Sequence, residues 1–177
     1  MSQLSRVYLD IFQKAHNNAV ELRNDARALQ ARGSCARAYA LAYTALEEIS
    51  KSQLAADVYT GLCDAAEFEK VYRNHAAKLS TVEWVHDDAT SWPHNHRWIG
   101  PDPDDVEPMD PDKPSFSKRQ AALYVDVDVL TGTVKDPNSQ VTAKDADDMI
   151  HLVDVALARI LEVEFSQGLI GTKGFMK

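Results

Sequence analysis

Two adjacent glutamates and a lysine occur inside an alanine-rich helical pattern, in the stretch ALEEISKSQ. Helical spacing places Glu48 in the row of alanine and leucine side chains that should face the core, and Glu47 and Lys51 flank that row. A buried polar group without a partner costs about 1–3 kcal/mol, and a buried charge costs more. These side chains must therefore satisfy one another or line a wet cleft, where carboxylates and a lysine can take part in acid–base chemistry.

Polar residues also occupy the expected inner rows of the helices before and after this one. Asn18 and Asp25 share the spacing of an apolar row in the first helix, and His75 lies inside an apolar stripe of the third. We predict that three helices bring these groups into one polar cluster, which comprises Asn18, Asp25, Glu47, Glu48, Lys51, His75 and Lys78.

An ordinary structural interpretation competes with this hypothesis at each position. Glu47 and Lys51 are four residues apart, the commonest spacing of a surface ion pair, which is worth only about 0.2–0.5 kcal/mol. A single histidine on an apolar stripe, such as His75, is most often a satisfied core residue. The recurrence of polar residues in three consecutive helices is what favours a shared site.

The elements that must position this cluster are helices. Helical patterns cover residues 2–30, 34–60, 64–89 and 142–167, with a short helix at 117–124. Gly33 and Gly61 end the first two helices, and such short connections make consecutive helices antiparallel neighbours. Gly132 and Pro137 interrupt the alternating pattern of residues 125–141, which we predict to be an extended loop. The predicted fold class is an all-α, up-and-down helical bundle.

The chain of 177 residues predicts a single domain, residues 1–177. Six of the seven prolines fall in residues 91–116, which predicts a long irregular loop, rich in proline and aspartate, between the third and later helices. Six acids and one lysine give residues 101–115 a charge of −5, out of −8 for the whole chain. The acidic total is not typical of a general nucleic-acid binder, but the helical body can still carry a local basic patch.

Other classes of protein are not indicated by the sequence. No stretch approaches the roughly 20 apolar residues of a membrane span, and the polar start is unlike a signal peptide, so we predict a cytoplasmic protein without a membrane partner. His94 and His96 alternate within the predicted loop, a weak signal for a metal, and we predict neither a metal site nor a cofactor.

Four motifs together resemble those of a known family. They are NAVELRNDARALQARG from Asn18, the segment ALEEISK, the segment RNHAAK from Arg73, and KRQAALYVDVD with Arg119, Tyr124 and Asp126. In order and spacing they resemble the AbiV-type abortive infection family, which is placed in the HEPN superfamily of helical bundles. The resemblance spans residues 10 to about 165.

The resemblance implies a role in defence against phage, in which the infected cell is shut down. Many HEPN domains are metal-independent RNases, whose site pairs an arginine and a histidine, several residues apart, across a dimer. By resemblance, Arg73 and His75 are the catalytic candidates. A homodimer that acts on cellular or phage RNA is the corresponding expectation.

The spacing of these two residues departs from the family pattern. One residue separates Arg73 from His75, a rotation of about 200° on a helix, so the side chains point to nearly opposite faces. We expect His75 to act as general base beside Lys51 and Lys78, with Arg73 acting across the dimer interface. Glu48 would orient the base or hold a lysine. The residues predicted to bind substrate are Asn18, Asp25, Glu47, Arg119, Tyr124 and Asp126.

Two other functions stay open at this point. A non-catalytic helical module could act by binding a phage protein or the translation machinery, and the polar cluster could bind a small ligand. For the dimer, if the first three helices leave a face of small residues around Ala36 and Ala40 exposed, we expect the second subunit to cover it.

Overall fold

Helices dominate the computed structural model, which describes residues 3–61, 63–73 and 116–159. The described helices are α1 (Gln3–Ala31), α2 (Cys35–Thr60), α3 (Ala65–Tyr72), α4 (Phe116–Leu123), α5 (Pro137–Gln140) and α6 (Ala143–Arg159). An antiparallel hairpin of two short strands, β1 (Asp126–Asp128) and β2 (Thr133–Lys135), lies between α4 and α5. The predicted all-α bundle is confirmed. The predicted continuation of the third helix, the loop up to residue 115 and the last helix after Arg159 lie outside the described residues.

Glycines end the first two helices, as predicted. Gly33 has a φ of +76°, and the N–H groups of Gly33 and Ser34 donate to the carbonyls of Gln30 and Leu29, which closes the end of α1. Gly61 has a φ of +81° at the end of α2. Ser34 takes the predicted N-cap position of α2, but its hydroxyl makes no capping hydrogen bond. The tight connection makes α1 and α2 antiparallel neighbours.

The central helix is α2, which contacts α1, α3, α4, α5 and α6. The core around it is rich in alanine: Ala19 and Ala26 of α1 and Ala45 of α2 are fully buried. Because alanine has a short side chain, these helices can approach closely. On another side, α6 adds larger apolar residues, which are Met149, Ile150, Leu152, Val153 and Leu157.

A second apolar cluster fixes the position of α3. Phe68 of α3 packs edge-on against Tyr8 of α1, with 5.3 Å between the ring centroids, and stacks on Tyr72 at 5.5 Å. Phe12 of α1 and Leu54 of α2 complete the cluster. The end of α3 is thereby placed beside the second half of α2.

The structure of residues 125–141 differs from the predicted one. The expected extended loop is wrong, because this stretch forms the hairpin and α5. Gly132, with a φ of +69°, donates its N–H to the carbonyl of Asp128 at 2.7 Å and so makes the turn instead of breaking the strand. Pro137 begins α5, a position where its missing N–H is not needed.

The prediction of a dimer face around Ala36 and Ala40 is also wrong. Ala36 and Ala40 are only 1% and 2% exposed, so the single chain already buries them and they are not free to contact a second subunit. The structure shows no helix, among residues 3–61, 63–73 and 116–159, that is long and apolar enough to cross a membrane.

Candidate functional site

One row of α2 contains two of the polar residues that the sequence analysis selected, Glu47 and Lys51. Tyr39, Tyr43, Glu47 and Lys51 are spaced four residues apart, so they form one ridge along the helix, called here the α2 ridge. Helix α4 lies over the start of the ridge and α3 lies beside its end. Glu47, in the middle, is only 4% exposed and yet keeps a polar or electrostatic partner.

At the end of the ridge, Lys51 forms an ion pair with Glu48. The side chains of Lys51 and Glu48 are 20% and 14% exposed, so this is not an ordinary surface pair. The ammonium nitrogen of Lys51 also lies 5.6 Å from the centroid of the Tyr72 ring, at the last residue of α3. The structure thus brings a cation and a carboxylate of α2 to the end of the third helix.

At the start of the ridge, two basic residues of α4 lie over the two tyrosines. Lys118 lies 5.8 Å from the Tyr39 ring and binds the carboxylate of Asp145 at 2.6 Å. The guanidinium of Arg119 lies 5.4 Å from the Tyr43 ring and 5.9 Å from the ring of Phe116. The predicted site residue Arg119 of α4 therefore packs on the start of the α2 ridge.

Tyr43 is fully buried, and its hydroxyl oxygen has no hydrogen-bond partner in the part of the chain that the structure describes. Burial raises the pKa of Tyr43 to about 12, the charge of Glu47 adds to that increase, and Arg119 opposes it. Tyr43 consequently keeps its proton throughout the physiological pH range and can act there as a hydrogen-bond donor.

Asn18 and Asp25 do not join this site, which corrects the prediction. Both side chains are exposed on α1. Each comes one position before a buried alanine, Ala19 or Ala26, and one residue is a rotation of about 100° around a helix. The inner row of α1 instead follows Tyr8, Phe12, Ala15, Ala19 and Ala26.

The remaining predicted residues lie elsewhere or outside the described ranges. Arg73 is at the surface, with 76% of its side chain exposed and an ion pair to Glu69 at 3.0 Å. Tyr124 and Asp126, which follow α4, are exposed. The two residues His75 and Lys78 of the predicted cluster lie outside the described residues, as do His94 and His96 of the alternative metal site. Within 3–61, 63–73 and 116–159 no three histidine, cysteine or acidic side chains are grouped as metal ligands.

Sequence reasoning missed four residues of this region, which are Tyr43, Ser50, Lys118 and Asp145. Ser50 is 1% exposed, and its hydroxyl has no partner among the residues that the structure describes. The spacing of Tyr39, Tyr43 and Glu47 was a usable signal, since residues four apart share a helical face. The approach of α4 and α6 to α2 had no comparable signal, because α4 begins at Phe116 and α2 ends at Thr60, a separation of 56 positions in sequence.

A protein-family model, HEPN_AbiV, described as AbiV, matches residues 7–158. The chain belongs to the AbiV family. The match begins in α1 and ends in α6, so it covers the α2 ridge and the helices around it. AbiV is an abortive infection family, which places this AbiV protein in bacterial defence against phage. Comparison with curated proteins and with solved structures gave no match.

Proposed function

We propose that this AbiV protein arrests growth of the phage-infected cell by cleaving RNA without a metal ion. One observation carries the proposal: Lys51, paired with Glu48, lies 5.6 Å from the ring of Tyr72, three residues before His75 in sequence. A polar pair of α2 therefore lies beside the last residue of α3, and the histidine candidate follows that residue by three positions in sequence.

The proposed chemistry uses general-base catalysis and charge stabilisation. Histidine ordinarily titrates near neutrality, so His75 can take the proton of the RNA 2′-hydroxyl while the 2′-oxygen attacks the adjacent phosphorus. The bond from that phosphorus to the 5′-oxygen of the next nucleotide breaks, which leaves a 2′,3′-cyclic phosphate and a 5′-hydroxyl that takes its proton from water. Lys51 stabilises the negative charge that develops on the phosphate oxygens. Glu48 holds the ammonium group of Lys51 in place. Lys78 is a second candidate cation for the same step.

Arg73 has a different place in the proposal. Its side chain is 76% exposed and, among the residues that the structure describes, forms an ion pair with Glu69, one helical turn earlier. A residue so exposed is accessible to a second copy of the chain. We infer that Arg73 completes the site of the partner subunit, as in the composite sites of other HEPN domains.

Substitution of Lys51 tests the proposal. Lys51→Ala should slow RNA cleavage at least tenfold through the lost charge stabilisation, and it should lower the free energy of unfolding by about 1 kcal/mol, because Glu48 loses its partner. Lys14→Ala is the matched control, since Lys14 pairs with Asp10 on the surface and is 76% exposed. The measurements are cleavage of a labelled RNA and thermal melting of the same samples. Cleavage by Lys51→Ala at the rate of the wild-type protein would exclude this role for Lys51.

A second candidate function, binding of a phage or host protein without catalysis, is favoured by the hairpin. Its turn exposes two large apolar side chains, Val129 at 82% and Leu130 at 94%. The same turn is well ordered by hydrogen bonds, since the carboxylate of Asp128 accepts from the N–H groups of Leu130 and Thr131. A rigid turn that displays apolar groups is typical of a contact surface.

A further inference from the structure

Two polar atoms beside the α2 ridge are buried without a hydrogen-bond partner among the described residues: the hydroxyl oxygen of Tyr43 and the Nε of Arg119. Buried polar atoms in proteins nearly always have partners, and the exceptions call for a specific reason. These two belong to side chains in direct contact, because the guanidinium lies 5.4 Å from the centroid of the Tyr43 ring. A single ligand could satisfy both.

Arg119 differs in this respect from its neighbour Lys118. The charge of Lys118 is compensated by Asp145 at 2.6 Å. No carboxylate of the described part of the chain lies within 4.0 Å of the Arg119 guanidinium, which instead lies between the rings of Tyr43 and Phe116. When the face of a guanidinium packs on aromatic rings, the N–H groups along its edge stay able to bind an anion. Their spacing matches that of two oxygens of a phosphate.

Both groups are hydrogen-bond donors. Arginine has no acceptor, and Tyr43 keeps its proton because burial, and then the charge of Glu47, raises its pKa to about 12. Two donors next to each other, one of them positively charged, select an anionic acceptor over a cation or a neutral donor.

The position of this pair on α2 suggests which anion it takes. Tyr43 lies eight residues before Lys51, about 12 Å along the same helix. We propose that Tyr43 and Arg119 form a subsite for a phosphate group of the RNA, separate from the phosphate at which Lys51 and His75 act. This inference rests on the proposed function, because RNA is the ligand that would present phosphates to both places. Because both donor atoms are buried, this proposal requires the half-buried Arg119 side chain to rotate when the phosphate binds.

The test measures RNA affinity in protein that cannot cleave. In a His75→Ala background, fluorescence anisotropy with a short labelled single-stranded RNA gives the dissociation constant at several salt concentrations. We expect Tyr43→Phe and Arg119→Gln each to weaken binding about tenfold. Arg119→Gln should also reduce the slope of log affinity against log salt by about 0.7, the loss of one phosphate contact, whereas Tyr43→Phe should leave that slope unchanged.

The matched controls are Tyr39→Phe, which removes the same hydroxyl group one helical turn earlier, and Lys144→Gln, which removes a cation of α6 that is 82% exposed. Neither control substitution should weaken RNA binding by as much as tenfold. Tyr43→Phe keeps the ring and its packing, so the folded state is preserved, and thermal melting of each variant confirms it. If Tyr43→Phe only raises the melting temperature and leaves RNA affinity unchanged, the unpaired hydroxyl has no ligand and the inference is wrong.

Two further outcomes separate this inference from the proposed function. If the wild-type protein binds and cleaves RNA, but Tyr43→Phe and Arg119→Gln behave like their controls, the subsite alone fails. If no RNA is bound by any variant, the proposed function and the RNA subsite fail together. Inorganic phosphate is the last ligand tested. If phosphate raises the melting temperature of the wild-type protein but not that of Arg119→Gln, while both proteins bind RNA equally well, Tyr43 and Arg119 bind a small phosphate compound instead of RNA.

Discussion

The carboxylate of Asp145 joins α4 to the start of α6. It binds the ammonium of Lys118 in α4 at 2.6 Å and accepts hydrogen bonds from the N–H and the hydroxyl of Thr142, both at 2.8 Å. In return, the hydroxyl of Thr142 accepts from the Asp145 N–H at 3.1 Å, which completes a capping box at the start of α6. Through Lys118, the same carboxylate positions the helix that carries Arg119.

Removal of this carboxylate should destabilise the fold. We expect Asp145→Ala to lower the free energy of unfolding by about 1–3 kcal/mol, since it removes a helix cap and leaves Lys118 without its carboxylate. Asp148→Ala is the control on the same helix, because the ion pair of Asp148 is with Lys144, whose side chain is 82% exposed. This variant should stay within about 0.5 kcal/mol of the wild-type protein. Urea unfolding at neutral pH measures both variants. Equal stability of the two variants would contradict the role given to Asp145.

The effect should also depend on pH. Burial acts to raise the pKa of Asp145, but hydrogen bonds from Lys118 and Thr142 outweigh it and hold that pKa below its ordinary value of about 4. A lowered pKa in the folded state means that the stabilisation is complete above the unfolded value and is lost as pH falls through the folded value. The difference in melting temperature between wild type and Asp145→Ala should therefore be constant at pH 6–8 and shrink below about pH 4.

At the residue scale, the sequence could predict the Glu48–Lys51 pair but not all of its surroundings. The pair was predictable because it lies within one helix, where spacing determines which side chains meet. Asn18 and Asp25 were misplaced because the apolar residues of α1 form a broad stripe, and its true centre follows the buried alanines. Alanine is a weak hydrophobic signal, and a row drawn through the larger apolar residues Ile11, Leu22 and Leu29 passes through Asn18 and Asp25.

At the element scale, α2 was predictable in full because its ends carry strong signals. Gly61 takes the left-handed conformation that ends the helix, and the predicted end at Thr60 is the observed one. The hairpin was missed because a turn glycine and a strand-breaking glycine look alike in sequence. What decides between them is pairing: Val127 pairs with Val134, a contact between residues seven apart.

The hairpin provides an element-scale prediction that separates the two candidate functions. Leu130→Ser should leave melting temperature and RNA cleavage unchanged, because a side chain that is 94% exposed contributes little to the core. Val127→Ser, within the paired strand, is the comparison on the same hairpin. Growth arrest in phage-infected cells is measured beside cleavage. Loss of arrest in Leu130→Ser with cleavage intact would favour binding of a protein partner.

At the scale of the whole molecule, the proposed composite site requires two subunits. Light scattering should then give about twice the chain mass of 19.7 kDa. The contact surface must differ from the one that the sequence suggested, because Ala36 and Ala40 are buried within the chain. This burial could not be foreseen, since the helices that pack on α2 include α4 and α6, which are far from it in sequence.

Mixing two inactive variants tests the composite site. Arg73→Ala and His75→Ala should each be inactive alone, but a heterodimer retains one site with both residues intact. Random exchange makes about half of the dimers mixed, so the mixture should recover about one quarter of the wild-type cleavage rate. No recovery, with subunit exchange verified, would show that Arg73 and His75 do not act across the interface.

RNA cleavage by the purified protein in the presence of EDTA tests the central claim most directly. The account predicts that the folded wild-type protein cleaves a labelled RNA without metal, and that His75→Ala cleaves at least about 100-fold more slowly while losing no more than about 1–3 kcal/mol of stability. Growth arrest should fall together with cleavage. A folded, dimeric wild-type protein that still arrests growth but cleaves no RNA would contradict the account.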